Sequence, residues 1–306
     1  MRLPAFSVRS FAERNGRKKA KRQKSFWKMG VIEEKSVTLQ PKQFTQDVKI
    51  KEVVAALERF APLPLQDEYD NAGLQIGLTE AEVSGALLCL DVTEAVVREA
   101  VSQGCNLIVA HHPLLFRALK HITGQTQPER CAALAVKHDV AIYATHTNLD
   151  NARGGVNFEI ANRLGLQGVR FLKPAPDGQS GSGIVGELAE PENAEAFLRR
   201  VKDIFHVESL QHNSLLERPV ETVAVCGGAG DFLLGEALRQ KADAFLTGEM
   251  HYHVFFGYEQ EIQIGVMGHY QSEQFTIELL GDVLKNTLPE LRLVKTKIKT
   301  NPISCM

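Results

Sequence analysis

The sequence predicts an α/β protein with mainly parallel or mixed sheets flanked by helices and an internal duplication between the halves. Three observations carry this expectation. From residue 49 onward, short apolar strand-like runs alternate with helical segments of about ten residues, the signature of βαβ units. The alternation recurs on both sides of a Pro-, Gly- and Ser-rich stretch, PAPDGQSGSG at 174–183. A shift of 137 positions also lays EAVVREAVSQGCNLIVA (94–110) on DFLLGEALRQKADAFLT (231–247) without a gap, matching Glu99, Ala100 and Gln103 with Glu236, Ala237 and Gln240. Three identities in seventeen are within the reach of chance for two generic αβ units. The duplication is therefore an expectation that the strand register must test.

Each element has a local reason. Ile50, Val53, Val54 and Leu57 recur at helical spacing and predict the first helix. ALLCLD (86–91) reads as a buried strand, EAVVREAVSQG (94–104) as a helix ended by Gly104, and NLIVA (106–110) as the next strand. A helix over about 128–138, the strand VAIYATH (140–146) and the helix VNFEIANRLGL (156–166) follow. The stretch 174–183 reads as a linker. Beyond it come IVGEL (184–188), the helix NAEAFLRRVKDIF (193–205), the strand ETVAVCG (221–227), a helix over 231–241, the strands AFLTG (244–248) and IQIGVMG (262–268), and a helix around 272–285.

Composition narrows the class. With 306 residues, 44% hydrophobic and 24% charged, the chain has the balance of a soluble globular protein with one large or two moderate domains. No run approaches the roughly eighteen apolar residues that a membrane span needs. The net charge of −2 hides an asymmetry: residues 1–47 carry twelve Lys/Arg against four Asp/Glu, a net of +8, which leaves −10 for residues 48–306. This basic leader reads as an arm for nucleic acid or an anionic membrane surface, as a targeting peptide, or as a disordered extension or mis-called start. The last is favoured, because the segment lacks the apolar periodicity needed to offset chain entropy. The natural domain is expected to begin near Val48. Five scattered cysteines without a CxxC spacing argue for a reducing cytoplasm and against a disulfide framework or a thiolate zinc site.

Six of the ten histidines fall in four loops that follow predicted strands, a clustering that surface scatter does not predict. The loops are AHHP (His111, His112), ATHTNLDNARGG (His146, Asp150), GEMHYH (Glu249, His251, His253) and GHYQSE (His269, Glu273). Open parallel sheets bind ligands at such strand ends. His111 and His112 alone would serve equally as core or turn histidines. His269 and Glu273, four apart at a helix start, share one face and can grip one ion. A carboxylate facing the helix dipole would account for Glu273 but not for His269. Imidazoles suit zinc, iron, nickel or cobalt better than magnesium or calcium, and a carboxylate such as Asp150 can bridge two cations. Mixed ligands in this number fit a two-metal site and hydrolytic chemistry.

Two Gly-rich segments point elsewhere less strongly. CGGAGD (226–231) could cradle an anion on backbone N–H groups, but it has neither GxGxxG spacing nor a Walker lysine. DNARGGVN (150–157) offers Arg153 to a phosphate or simply makes a tight turn. No GxSxG segment and no Cys–His pairing suggests covalent catalysis.

Taken in order, EYDNAGLQIG (68–77), AHHPLLF, THTNLDNARGGVN, VAVCGGAGD, LTGEMHYH and GHYQSE resemble the dinuclear-metal family of GTP cyclohydrolase type-2 homologues, also called Nif-three-like proteins. The resemblance covers roughly 48–306. It implies two interlaced α/β domains, a homohexameric ring and a centre of two divalent ions (zinc, iron, nickel, cobalt or manganese) held by His111, His112, Asp150, His269 and Glu273. It further implies substrate-facing or proton-moving roles for His146, His251 and His253. GEMHYH departs from the family pattern by separating histidines that many relatives keep adjacent. The expected organisation is a metal-binding domain of 48–172 plus 262–306 and a second α/β domain of 173–261. Two functions compete: a metal-dependent hydrolase of a nucleotide-like small molecule, and a non-enzymatic metal-handling or partner-binding hexamer. Nucleic-acid binding through the leader would be a third, and the acidic body argues against it.

Overall fold

The computed structural model describes residues 48–306; every reading of the basic leader lies outside the described residues. Helix α1 (Ile50–Phe60) buries Ile50, Val53, Ala56 and Leu57, the stripe set by its apolar spacing. It is followed by β1 (Gly73–Ile76), β2 (Ala86–Cys89), α2 (Glu94–Ser102), β3 (Leu107–Ala110), α3 (Gln127–Lys137), β4 (Ala141–Ala144), α4 (Thr147–Asp150) and α5 (Val156–Leu164). Then come β5 (Gln167–Pro174), β6 (Gly181–Glu192), α6 (Ala194–Ile204), β7 (Gln211–His212), β8 (Val220–Cys226), α7 (Leu234–Arg239), β9 (Ala244–Thr247) and β10 (Gln263–Val266). The short α8 (His269–Glu273), α9 (Thr276–Thr287) and β11 (Leu293–Lys295) complete the chain. Side-chain caps start several helices as their sequences dictate: Thr93 Oγ1 accepts from Val96 N, and Asn193 Oδ1 from Ala196 N.

Two mixed sheets result, in the orders β1-β4-β3-β2-β11 and β5-β6-β8-β9-β10-β7. Their central strands run parallel, and β2, β3, β4, β9 and β10 are buried at every residue, which is why they read as continuous apolar runs. Alternate side chains serve different layers. Leu88, Leu107, Val109 and Tyr143 join Val223, Val225 and Leu246 in one core that α1, α5, α6 and α9 complete. Leu87, Ile108 and Ile142 face α2 and α3, whereas Ala224, Phe245 and Ile264 face α7.

The duplication is visible in the register. Ala86 pairs with Leu107 and Cys89 with Ala110; Val223 pairs with Ala244 and Cys226 with Thr247, each partner offset by the same 137 positions. The intervening α2 maps by that offset onto Asp231–Arg239, a 3-10 turn leading into α7. The second repeat then reaches its next strand sooner, so β10 follows β9 more closely than β4 follows β3.

Two differences from the sequence expectation have simple causes. The stretch 174–183 is a hairpin turn and not a linker: Pro174 pairs with Gly181, Ala175 N donates to Ser180 O, and Gly178 takes the left-handed φ of +65° that the turn needs. Pro, Gly and Ser mark tight turns as readily as flexible joints. The sheets also cut across the expected limits at 172/173 and 261/262, since β5 (167–174) and β10 (263–266) both lie in the second sheet. Among the described residues no helix is long and apolar enough to cross a membrane. All five cysteines are free, and only Cys305 is exposed.

Candidate metal centre

The C-terminal ends of β3, β4, β8 and β10 converge, and the site is built there. After β3 the backbone stays in register for two more residues, His111 N donating to Cys89 O at 3.2 Å and His112 N to Leu90 O at 3.0 Å. His111 is fully buried, with Nδ1 2.8 Å from Thr145 O. A carbonyl can only accept, so Nδ1 carries the proton and Nε2 keeps its lone pair. His112 Nδ1 lies 2.7 Å from Asp91 Oδ1, which aims Nε2 at Glu273. The strand ends here, so both rings reach one place, with centroids 4.8 Å apart.

Helix α8 brings the second half. His269 and Glu273, one turn apart, hold Nε2 and Oε2 3.1 Å from each other. Glu273 Oε2 is 3.0 Å from His112 Nε2, and His269 Nε2 is 3.3 Å from the same nitrogen. His269 Nδ1 is tied to Glu249 Oε1 at 2.8 Å. Room for Glu273 comes from Gly228, where a Cβ would fall 2.4 Å from Glu273 Oε1 and φ is +61°. The glycines of CGGAGD thus make space for a carboxylate. Their N–H groups are not free for an anion: Gly227 N donates to Asn157 Oδ1, Gly228 N to Ser272 Oγ and Gly230 N to Thr247 Oγ1.

Asp150, at the end of α4, approaches from the β4 side, with Oδ1 3.7 Å from His111 Nε2. Beside it, His146 Nδ1 lies 2.7 Å from Asp70 Oδ1, and its ring centroid is 5.5 Å from those of both His111 and His112. Arg153 turns away from the site, donating to Gly178 O at 3.3 Å and covering Phe171, which leaves the tight-turn reading of DNARGGVN with Gly154 at φ +78°.

The electrostatics are those of a centre short of positive charge. Burial pushes the Asp150 carboxyl up to about 8, helped by the charge of Glu273. Burial would also raise Glu273, but the surrounding imidazoles outweigh it and hold this carboxyl well below its ordinary range. Burial depresses His112 and His269, yet hydrogen bonds donated to Asp91 and Glu273 carry His112 up to about 10, and the bond to Glu273 carries His269 to about 9. His111 Nε2 and Asp150 Oδ1 are among the buried atoms that have no hydrogen-bond partner. Orphaned acceptors of this kind call for a cation. His111, His112 and Glu273 each offer a ligand atom, all within 4.8 Å of one another, so the cluster is able to hold a metal ion. The carboxylate or carbonyl on each Nδ1 is the support that orients metal-binding imidazoles.

The cluster borders a cavity of about 460 Å³ whose wall includes His146, Asp150 and the aromatic rings of Tyr69, Phe116 and Phe232. His251 and His253 do not line it. His251 is 87% exposed and held by Asp231 at 2.5 Å, while His253 packs near Tyr252 and Phe256. Of the supporting acids, Glu249 stands in one of the candidate loops, whereas Asp70 and Asp91 were given no role by sequence reasoning. Asp91 lies two residues past the buried strand β2, as His112 lies two past β3, and that position was the available signal.

Fold and site together define an α/β protein with a His/His/Glu cluster suited to a metal ion. The model of the Duf34/NIF3 (NGG1p interacting factor 3) family matches residues 48–302, and the chain belongs to that family. It is 33% identical over 261 residues to a Lactococcus lactis protein named GTP cyclohydrolase 1 type 2 homolog, covering 83% of this chain and 98% of the relative. It is 31% identical over 252 residues to NIF3-like protein 1 of Drosophila melanogaster, covering 80% and 85%. The crystal structure of a Bacillus cereus protein related to NIF3 shares the fold, with a TM-score of 0.79 at 24% identity over 86% of this chain and all of the other.

Proposed function

We propose that the chain is a metal-dependent hydrolase of a nucleotide-like small molecule, working with two divalent ions in a homohexamer. The observation that carries this reading is the donor set at the wall of the cavity and the way it divides. Glu273 turns Oε1 toward His111 and Oε2 toward His112 and His269. His111, Asp150 and Oε1 would hold one ion, and His112, His269 and Oε2 a second. When bound, such ions supply Lewis-acid activation of water and of the scissile group. His146, oriented by Asp70, presents its other nitrogen at the cavity wall and there holds or moves a proton. Tyr69, Phe116 and Phe232 offer aromatic surface to a planar ring. The name carried by the Lactococcus relative supports a nucleotide-like substrate, and the family resemblance supports the ring. His251 and His253 have no part in this chemistry, because neither borders the cavity.

The test pairs metal analysis of the purified protein with a turnover screen on nucleotides and phosphoesters. Turnover that disappears on chelation and in His112→Ala supports the reading. Stable metal without turnover on any member of the panel shifts it to metal handling, and protein that takes up no metal removes it. Light scattering measures whether six copies assemble.

A further inference from the structure

The C-terminal segment beyond β11 reaches the candidate centre without touching it. β11 runs parallel to β2 with Lys295 opposite Leu88, so the residues after 295 travel beside Cys89, Leu90 and Asp91. Three hydrogen bonds fix their course: Thr296 N donates to Leu88 O at 2.9 Å, and the Glu99 carboxylate accepts from Thr296 Oγ1 and, at 2.9 Å, from Lys297 N. The path ends with Thr300 Oγ1 donating to Asp91 Oδ2 at 2.5 Å. The other oxygen of the same carboxylate, Oδ1, takes the Nδ1 proton of His112. A carboxylate bonded through one oxygen only can rotate, whereas one bonded through both is fixed in plane. Residues 299 and 301–305 meanwhile line a second cavity, about 840 Å³, together with Asp91, His112, Glu249 and His269.

We infer that Thr300 is a positioning residue for the metal centre: its hydroxyl locks Asp91, and Asp91 locks the His112 ring with Nε2 aimed at Glu273. The inference rests on His112 being a metal ligand, as proposed above, and extends the centre to a residue 188 positions from His112 in sequence. Removing a hydrogen bond that orients a ligand lowers metal affinity by about 10- to 100-fold when the direct partner is lost. Thr300 acts one bond further out, and the lower end, about tenfold, is expected.

The experiment loads the full chain with Co(II) and measures affinity by chelator competition and the ligand field by visible absorption, for wild type, Asp91→Ala, Thr300→Val and Thr300→Ser. Weaker binding and altered visible bands in Thr300→Val, restored in Thr300→Ser, support the inference; a merely structural tail would move the melting temperature and leave the Co(II) bands alone. Thr300→Val that binds like wild type while Asp91→Ala is impaired overturns the role of Thr300, as does equal weakening in the Val and Ser variants. Asp91→Ala that binds like wild type overturns the inference through its first link, the support of His112. Wild type that binds no Co(II) overturns the underlying metal-centre reading, and the inference with it.

Discussion

Asp150 Oδ1 and Glu273 Oε1 lie 3.7 and 3.8 Å from one atom, His111 Nε2. Burial pushes the Asp150 carboxyl up to about 8 and the facing charge of Glu273 adds to the rise, while the imidazoles around Glu273 hold that carboxyl down, so the two acids facing one nitrogen are in conflict. A cation between them removes the conflict.

Metal uptake therefore releases protons. At pH 7 the raised groups Asp150 (about 8), His269 (about 9) and His112 (about 10) hold protons that an ion must displace. Affinity for Zn(II) or Co(II) rises between pH 6 and 9, and the heat of binding varies with the ionisation enthalpy of the buffer. A buffer-independent heat would contradict this.

The metal-free protein loses stability in alkali. For a group whose folded pKa is raised, the stabilisation is complete below its unfolded value and lost as pH climbs to the folded one. His269 and His112 span 6.5 to about 9 and 6.5 to about 10, and Asp150 spans 3.8 to about 8. Urea midpoints in chelator fall between pH 6.5 and 9.5. A flat profile would mean that the imidazoles are neutral in the metal-free fold.

Asp70 works in the opposite window. Burial would raise it, but hydrogen bonds from His146 and Thr147 bring its carboxyl down to about 2, so its contribution is present above 3.8 and disappears as pH falls through 2. Asp70→Asn costs about 1–3 kcal/mol at pH 7 and flattens the acid limb of stability. Denaturation at pH 7 and pH 3 compares the two proteins.

Gly228→Ala puts a methyl group into the space of Glu273 Oε1 at a left-handed φ. The backbone cost alone is about 1–2 kcal/mol, and metal content falls as the carboxylate is displaced. By contrast, His251→Ala and His253→Ala leave metal content unchanged, because both lie off the cavity. Elemental analysis of the three variants separates the cases, and metal loss in either histidine variant would redraw the site.

Much of this was legible in the sequence. LIVA, AIYA and AFLT are apolar throughout because central parallel strands are buried on both faces, and His269 with Glu273 declared itself through helical spacing. What escaped notice depends on distance along the chain. Asp70 meets His146 from 76 positions away and Thr300 meets Asp91 from 209, pairings for which no local pattern exists. His251 and His253 come after β9 as His111 comes after β3, but the chain beyond Glu249 continues outward to an exposed turn, so neither lines the cavity.

The contact between His112 and Glu273 joins residues 161 apart, one in each of the two repeats. An ion shared by that pair would act on the unfolded chain as a cross-link does, denying it the freedom of a very long open loop. For a permanent link of this span the denatured state is penalised by on the order of 5 kcal/mol. Unfolding would then have to wait for the ion to leave, and the lifetime of the fold would be governed by the residence time of the metal.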